Sequence, residues 1–262
     1  MRLMICLSGE AEQLGYLPAL SVLSAGVELG SYGRVGVLSR RRWEERLVLH
    51  KALRSRFDGP IALHGPFIGI QYGHVDHLIQ DAVAQRLDMT LAAAVELEAE
   101  RVVLHSGYTT EIGTFGLERE WLERSTCFWQ QEIRRWTDAG IEVVIENDVE
   151  ATPDLLIQLV TGVSSPYLGL CLDVGHQHLF SELAGPEWIQ RMGGWLKHVH
   201  LHDNDRTSDS HSPIGQGTVD FGPICSALAN EAPNATVSLE VEAPMDMRMS
   251  SFRTLAAHFR DA

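Results

Sequence analysis

Short β-branched, apolar runs alternate with longer stretches of helical spacing along almost the whole chain. That alternation constrains the fold more than any other feature. The runs fall at 2–7, 34–38, 61–64, 101–105, 141–146, 168–173, 197–202 and 236–241. The helical stretches among them are 12–29, 44–56, 76–98, 118–138, 153–161, 186–193, 222–231 and 249–260. Within 76–98, Leu78, Ala82, Gln85, Met89, Ala93 and Leu97 recur about every four residues, as one helix face requires. Strand followed by helix implies a parallel sheet, since a parallel neighbour is reached only through a crossover. Eight such units can close into a (β/α)8 TIM barrel, and 262 residues suit one such domain spanning 1–262. A doubly wound open sheet is the alternative.

Composition narrows the function. A net charge of −14 argues against a general nucleic-acid binder, whose affinity comes from neutralising phosphates. The N-terminal apolar run is too short for a signal peptide core, and no stretch is long enough to cross a membrane. Cys6, Cys127, Cys171 and Cys225 are widely spaced, which suggests reduced thiols and a cytoplasmic protein rather than a disulfide framework or thiolate zinc site. No obligate protein partner is evident.

Metal-capable side chains end most of the expected strands. His64, His105, Glu146, Asp173 and Glu240 each follow an apolar run; His176 lies three residues past Asp173, and Lys197-His198-Val199 leads to His200, His202 and Asp203. A parallel barrel opens all these ends on one face, where active sites of the fold lie. Asp209-Ser210-His211, followed by Gly215-Gln216-Gly217, adds a loop cluster. Imidazole with carboxylate suits zinc, with Mn, Fe or Co as alternatives, better than Ca or Mg. The candidates exceed the four to six donors that one ion takes, so two or three ions sharing carboxylates are expected.

Three segments carry a resemblance: Cys171-Leu172-Asp173-Val174-Gly175-His176, Val199-His200-Leu201-His202-Asp203, and Asp209–Gly217 running into Val219-Asp220-Phe221. They resemble the xylose isomerase-like TIM-barrel superfamily, which includes endonuclease IV and the ketose epimerases; the last two look most like endonuclease IV. The resemblance covers essentially the whole chain. It implies three zinc ions and nine ligands: His64, His105, Glu146, Asp173, His176, His200, Asp209, His211 and Glu240. The isomerases and epimerases use a subset matching Glu146, Asp173, His200 and Glu240, and the two glutamates there also move the proton. Asn147-Asp148-Val149-Glu150 departs from the endonuclease IV pattern, as does His202, where that family tends to have Asn.

Residues 34–56 hold eight Lys/Arg against Glu44 and Glu45. Arg40, Arg41, Arg42 and Trp43 just past the expected second strand would hold a phosphate and stack on a sugar or base. A solvated helix start, with Trp43 packed on the barrel, is the plainer reading. His202 is a further substrate contact. His198 reads as a core or supporting residue and Glu142 as a floor residue. His178 reads as pocket-lining, and His50, His74, His77 and His258 as surface positions. Asp220 reads as a helix cap, and Glu242 as a substitute ligand for Glu240. The expected activity is hydrolysis of a phosphoester by a metal-activated hydroxide, with Glu146 or Glu240 positioning it. The substrate would be a small phosphoester, with damaged DNA as another candidate. The alternative is a sugar or sugar-phosphate isomerase or epimerase in which Glu146 and Glu240 transfer the proton.

Overall fold

Alternation within the strands decides what each face meets. In the computed structural model, which describes residues 1–7 and 17–261, eight parallel strands form a closed barrel in sequence order. They are β1 (Arg2–Leu7), β2 (Gly26–Leu29), β3 (Ile61–His64), β4 (Arg101–His105), β5 (Glu142–Glu146), β6 (Leu168–Asp173), β7 (Leu196–Leu201) and β8 (Thr236–Leu239), with β8 pairing back to β1. Leu63, Leu104, Ile145, Leu172, Val199 and Val237 belong to one large core with the surrounding helices. The opposite parity faces the barrel interior. There Val103, Val144 and Cys171 form a small separate cluster, with polar side chains above and below it.

The helices are α1 (Leu17–Val22), α2 (Arg40–Arg54), α3 (His77–Glu96), α4 (Thr110–Thr114), α5 (Glu118–Ala139), α6 (Asp154–Val163), α7 (Val174–Phe180), α8 (Gly185–Met192), α9 (Phe221–Glu231) and α10 (Met245–Asp261). Trp121, Trp129, Ile133 and Trp136 of α5 are buried and anchor that helix to the barrel. Asp76 starts α3 by accepting from Leu78 N at 2.9 Å.

The second strand differs from the sequence expectation. It is Gly26–Leu29, inside a stretch assigned to helix 12–29, whereas 34–38 contains a 3-10 turn at Val35–Val37. Glu28 is the cause: a charge within a four-residue apolar run looks like a solvent-facing helix position, but here it points into the barrel and is fully buried. The part of that stretch at 8–16 lies outside the described residues. One irregularity matters for the site. Between β6 and β7 the register shifts past Lys197, so that His198 pairs with Cys171 and His200 with Asp173.

Candidate metal centre

Five histidines at the mouth are each held at both ends. His64 turns Nε2 to Glu146 Oε2 at 3.1 Å and gives Nδ1 to the Gly65 carbonyl at 2.9 Å. His105 places Nε2 3.5 Å from Glu146 Oε2 and Nδ1 3.3 Å from Asp148 Oδ2. His176 and His211 both aim Nε2 at Asp209 Oδ2, at 3.3 and 3.0 Å. Their Nδ1 atoms bond the Asn147 and Glu240 carbonyls, each at 2.9 Å. His200 is reversed: Nδ1 lies 3.0 Å from Glu146 Oε1 and 2.9 Å from Glu240 Oε2, while Nε2 faces Glu28. Each outer acceptor takes the ring N–H. The inner nitrogen therefore faces carboxylate with its lone pair and needs a cation, either a proton or a metal ion.

Charge at the mouth states the same requirement. Burial pulls the His64 pKa down, but the Glu146 carboxylate more than reverses this and pushes it up to about 9. His211 is likewise pushed up to about 10 against burial, by Asp209 and Glu240. Burial raises Asp173, yet His176 and His202 bring it down to about 2. Asp173 Oδ2 is buried and has no hydrogen-bond partner among the described residues, a costly arrangement unless a cation completes it.

Donor atoms of Glu146, Asp173, His200 and Glu240 lie within 4.8 Å of one another, as do those of His176, Asp209 and His211 and those of His64, Glu146 and His200. Glu146 belongs to two of these groups and can be shared between ions. The orphaned oxygen, the oriented lone pairs and the mixed N/O donors fit divalent ions of the zinc type. All nine side chains expected as ligands converge on this rim; His105 stands just outside the tight groups, its ring 5.4 Å from that of His64.

Loops hold the donors in place. Asn147 pairs with the Asp173 backbone twice, accepting from its N–H at 2.8 Å and donating to its carbonyl at 3.0 Å. Glu150 accepts from Asp148 N at 2.6 Å. Asp203 accepts from Gly215 N and Val219 N and so ties down the loop bearing Asp209 and His211. His211 itself sits in the left-handed region at φ 45°, a strain of about 1 kcal/mol that the surrounding contacts sustain.

His202 does not reach substrate. It is fully buried, stacked 3.9 Å from His211, with Nε2 3.2 Å from Asp173 Oδ1. A Cβ at Gly175 would overlap its ring, so the motif glycine is needed for this close approach.

A cavity of about 560 Å³ opens above the centre, lined by His64, His105, Glu146, His176, Asp209, His211 and Glu240 on one side and by Arg34, Arg42 and Phe67 on others. Of the expected Arg40–Trp43 contact, Arg42 alone lines this cavity. Arg40 and Arg41 project into solvent and pair with Glu44 and Glu45 one turn on, at 3.1 and 2.9 Å. Trp43 is buried with its ring 4.7 Å from Tyr32, leaving no face for a substrate. Sequence reasoning missed Arg34, which pairs with Glu242 at 2.5 Å beside the cavity, and Glu28. It also missed that His50 is buried against the Tyr32 hydroxyl rather than exposed. Asp220 precedes α9, but its side chain makes no cap bond. His178 bonds Thr218 Oγ1 at 2.9 Å at the rim.

Residues 26–261 match the sequence model described as xylose isomerase-like TIM barrel. The chain belongs to this family. Among curated relatives, "Uncharacterized protein MJ1311" of Methanocaldococcus jannaschii is 27% identical over 72% of this chain and 66% of its own length. The chain thus spans just under two thirds of that relative. "Probable endonuclease 4" of Mycobacterium bovis is 22% identical over 69% of this chain and 72% of that protein. Among solved structures, the TTHB071 protein of Thermus thermophilus, from a crystal soaked with ZnCl2, superposes with TM-score 0.78 at 25% identity, covering 100% of this chain and 99% of that one. A D-tagatose 3-epimerase-like protein superposes with TM-score 0.79 at 21% identity, covering 99% and 97%, and shares the fold. No helix among the described residues is long and apolar enough to cross a membrane.

Proposed function

We propose that this chain is a divalent-metal-dependent hydrolase of phosphoesters, holding two or three ions, zinc foremost. The observation that carries this reading is the group His176, Asp209 and His211, assembled beside Glu146, Asp173, His200 and Glu240 with its outer nitrogens already fixed. Proton transfer on a sugar needs no such third group; displacement at phosphorus uses it. When bound, clustered divalent ions supply Lewis acidity and neutralise charge on the attacking and leaving oxygens.

The chain's own residues do the rest. Arg34 and Arg42 across the cavity bind and orient the anionic ester. Glu240 Oε2 and Glu146 Oε1, 2.9 and 3.0 Å from His200 Nδ1, are placed to accept a proton from an attacking water. Phe67, its ring 5.3 Å from that of His105, lines one wall of the cavity. A small phosphoester or one damaged position in DNA suits a cavity of this size better than long duplex DNA, given the acidic chain.

One observation favours the second reading. Glu146 and Glu240 converge on a single point beside His200, the arrangement a ketose epimerase would use to exchange a proton across a carbon. Metal content and substrate screening separate the two. About three ions per chain, turnover of a phosphodiester or abasic DNA, and its loss in His211→Ala are expected. One ion per chain, ketose turnover and an unaffected His211→Ala would reverse the assignment.

A further inference from the structure

Glu28 is a fully buried carboxylate inside the barrel, directly beneath the centre. Its Oε2 lies 2.9 Å from His198 Nε2 and 3.2 Å from His200 Nε2. His198 is held from below by Thr236 Oγ1, to which Arg101 also donates. A barrel interior is ordinarily filled by branched aliphatic side chains. Taking a carboxylate wholly out of water costs several kcal/mol unless it is paired, so its presence here calls for a function.

That function is visible in ring orientation. His64, His105, His176 and His211 all turn Nε2 inward, and three of them give Nδ1 to backbone carbonyls. His200 alone turns Nδ1 inward, with Nε2 on Glu28. We infer that Glu28 is a positioning residue for the innermost ion: by accepting the His200 Nε2 proton it fixes that ring to ligate through Nδ1. It also places a negative charge behind the inner ligand where His64, His176 and His211 have only neutral carbonyls. The inner group, with Glu146, Asp173, His200 and Glu240, is consequently the first to load and the tightest. This rests on the metal centre of the proposed function, and it assigns Glu28 no contact with substrate.

A residue that merely fills space or satisfies His198 would tolerate an isosteric amide. Glu28→Gln keeps shape and one acceptor but removes the charge. Wild type and Glu28→Gln are titrated with Zn2+ against a chromophoric chelator, and with Co2+ followed by its visible absorption. The tightest class of site should weaken by about ten- to a hundredfold in the variant, with the site of His176, Asp209 and His211, which shares no donor with His200, unmoved. The inner cobalt band should shift, and Glu28→Asp should recover part of the affinity. Independently of any variant, long-range 15N–1H correlation spectra of zinc-loaded wild type should show His200 protonated on Nε2 and ligating through Nδ1. Equal affinity and cobalt spectra in Glu28→Gln, or ligation by His200 Nε2, would overturn the role of Glu28 and leave the centre standing. A wild-type protein that binds no divalent ion would overturn both.

Discussion

Glu142 and Glu146 stand at the two ends of β5, both inside the barrel and about 13 Å apart. At the floor, Glu142 is bracketed by Arg101 and by Lys197 Nζ at 2.7 Å, and these permanent cations hold its pKa down against burial. At the mouth, Glu146 meets the imidazoles of His64, His105 and His200. The floor is a finished ion-pair network. The mouth is arranged around positive charge that its own side chains supply only by protonation. Two glutamates on one strand thus differ by the kind of cation each was given, and under the proposed function that difference divides structure from chemistry.

The sharpest way to break this comparison is to neutralise each glutamate in turn. Glu146→Gln should lower turnover by about a thousandfold and remove at least one ion. Glu142→Gln should leave metal content and turnover unchanged while costing about 2 kcal/mol, because Arg101 and Lys197 lose their partner in a mostly buried setting. Denaturant midpoints and metal analysis read both effects. An inactive but fully metallated Glu142→Gln would erase the division.

Chelation should separate the ends next. If the mouth takes up divalent ions, removing them should lower Tm by about 10 °C, since ligands bound only to the folded state stabilise by mass action. The same drop should appear in Glu142→Gln and be clearly smaller in Glu146→Gln. Identical melting with and without chelator in wild type would remove the mouth's special status.

A third glutamate sharpens the rule. Burial pushes Glu150 up to about 7, only partly offset by its bonds to Ser106 and Asp148 N, and Asp148 adds repulsion. Its folded pKa exceeds the ordinary 4.5. Its contribution to stability is therefore fully present below pH 4.5 and is lost at about 1.4 kcal/mol per unit as pH rises towards 7. Glu150→Gln should flatten that part of the stability–pH curve, measured with a common metal load. A slope the same in both proteins would mean that this carboxylate is already ionised at pH 5.

The sequence made β3 to β8 legible because each carries a polar residue of the inward parity at its end or within one residue of it, after aliphatics of the outward parity. His64, His105, Glu146, Asp173 and His200 followed from that rule alone. Glu28 escaped because the same inward parity, in a strand of four residues, places a charge in mid-run. Val35 and Val37 then looked like the missing strand. His202 was misjudged because its burial depends on Gly175, in the first turn of α7, approaching its ring. His50 could have been found: it shares a buried face of α2 with Trp43 and Leu53.

The smallest effect tests the basic segment, where charge alone gave the wrong emphasis. Arg40 and Arg42 begin the same helix, but only Arg42 lines the cavity, with Arg34. Arg40 is almost wholly in solvent and makes an i,i+4 pair with Glu44, the kind of contact worth under about 0.5 kcal/mol. Arg42→Gln should therefore raise KM for an anionic substrate about fivefold, roughly 1 kcal/mol of charge-assisted binding, with kcat little changed. Arg40→Gln should alter neither, although it removes the same charge from the same helix. Equal rises in KM would mean that the segment acts through its overall field; raising the salt concentration would then abolish both effects together, whereas a direct Arg42 contact should keep part of its difference from Arg40.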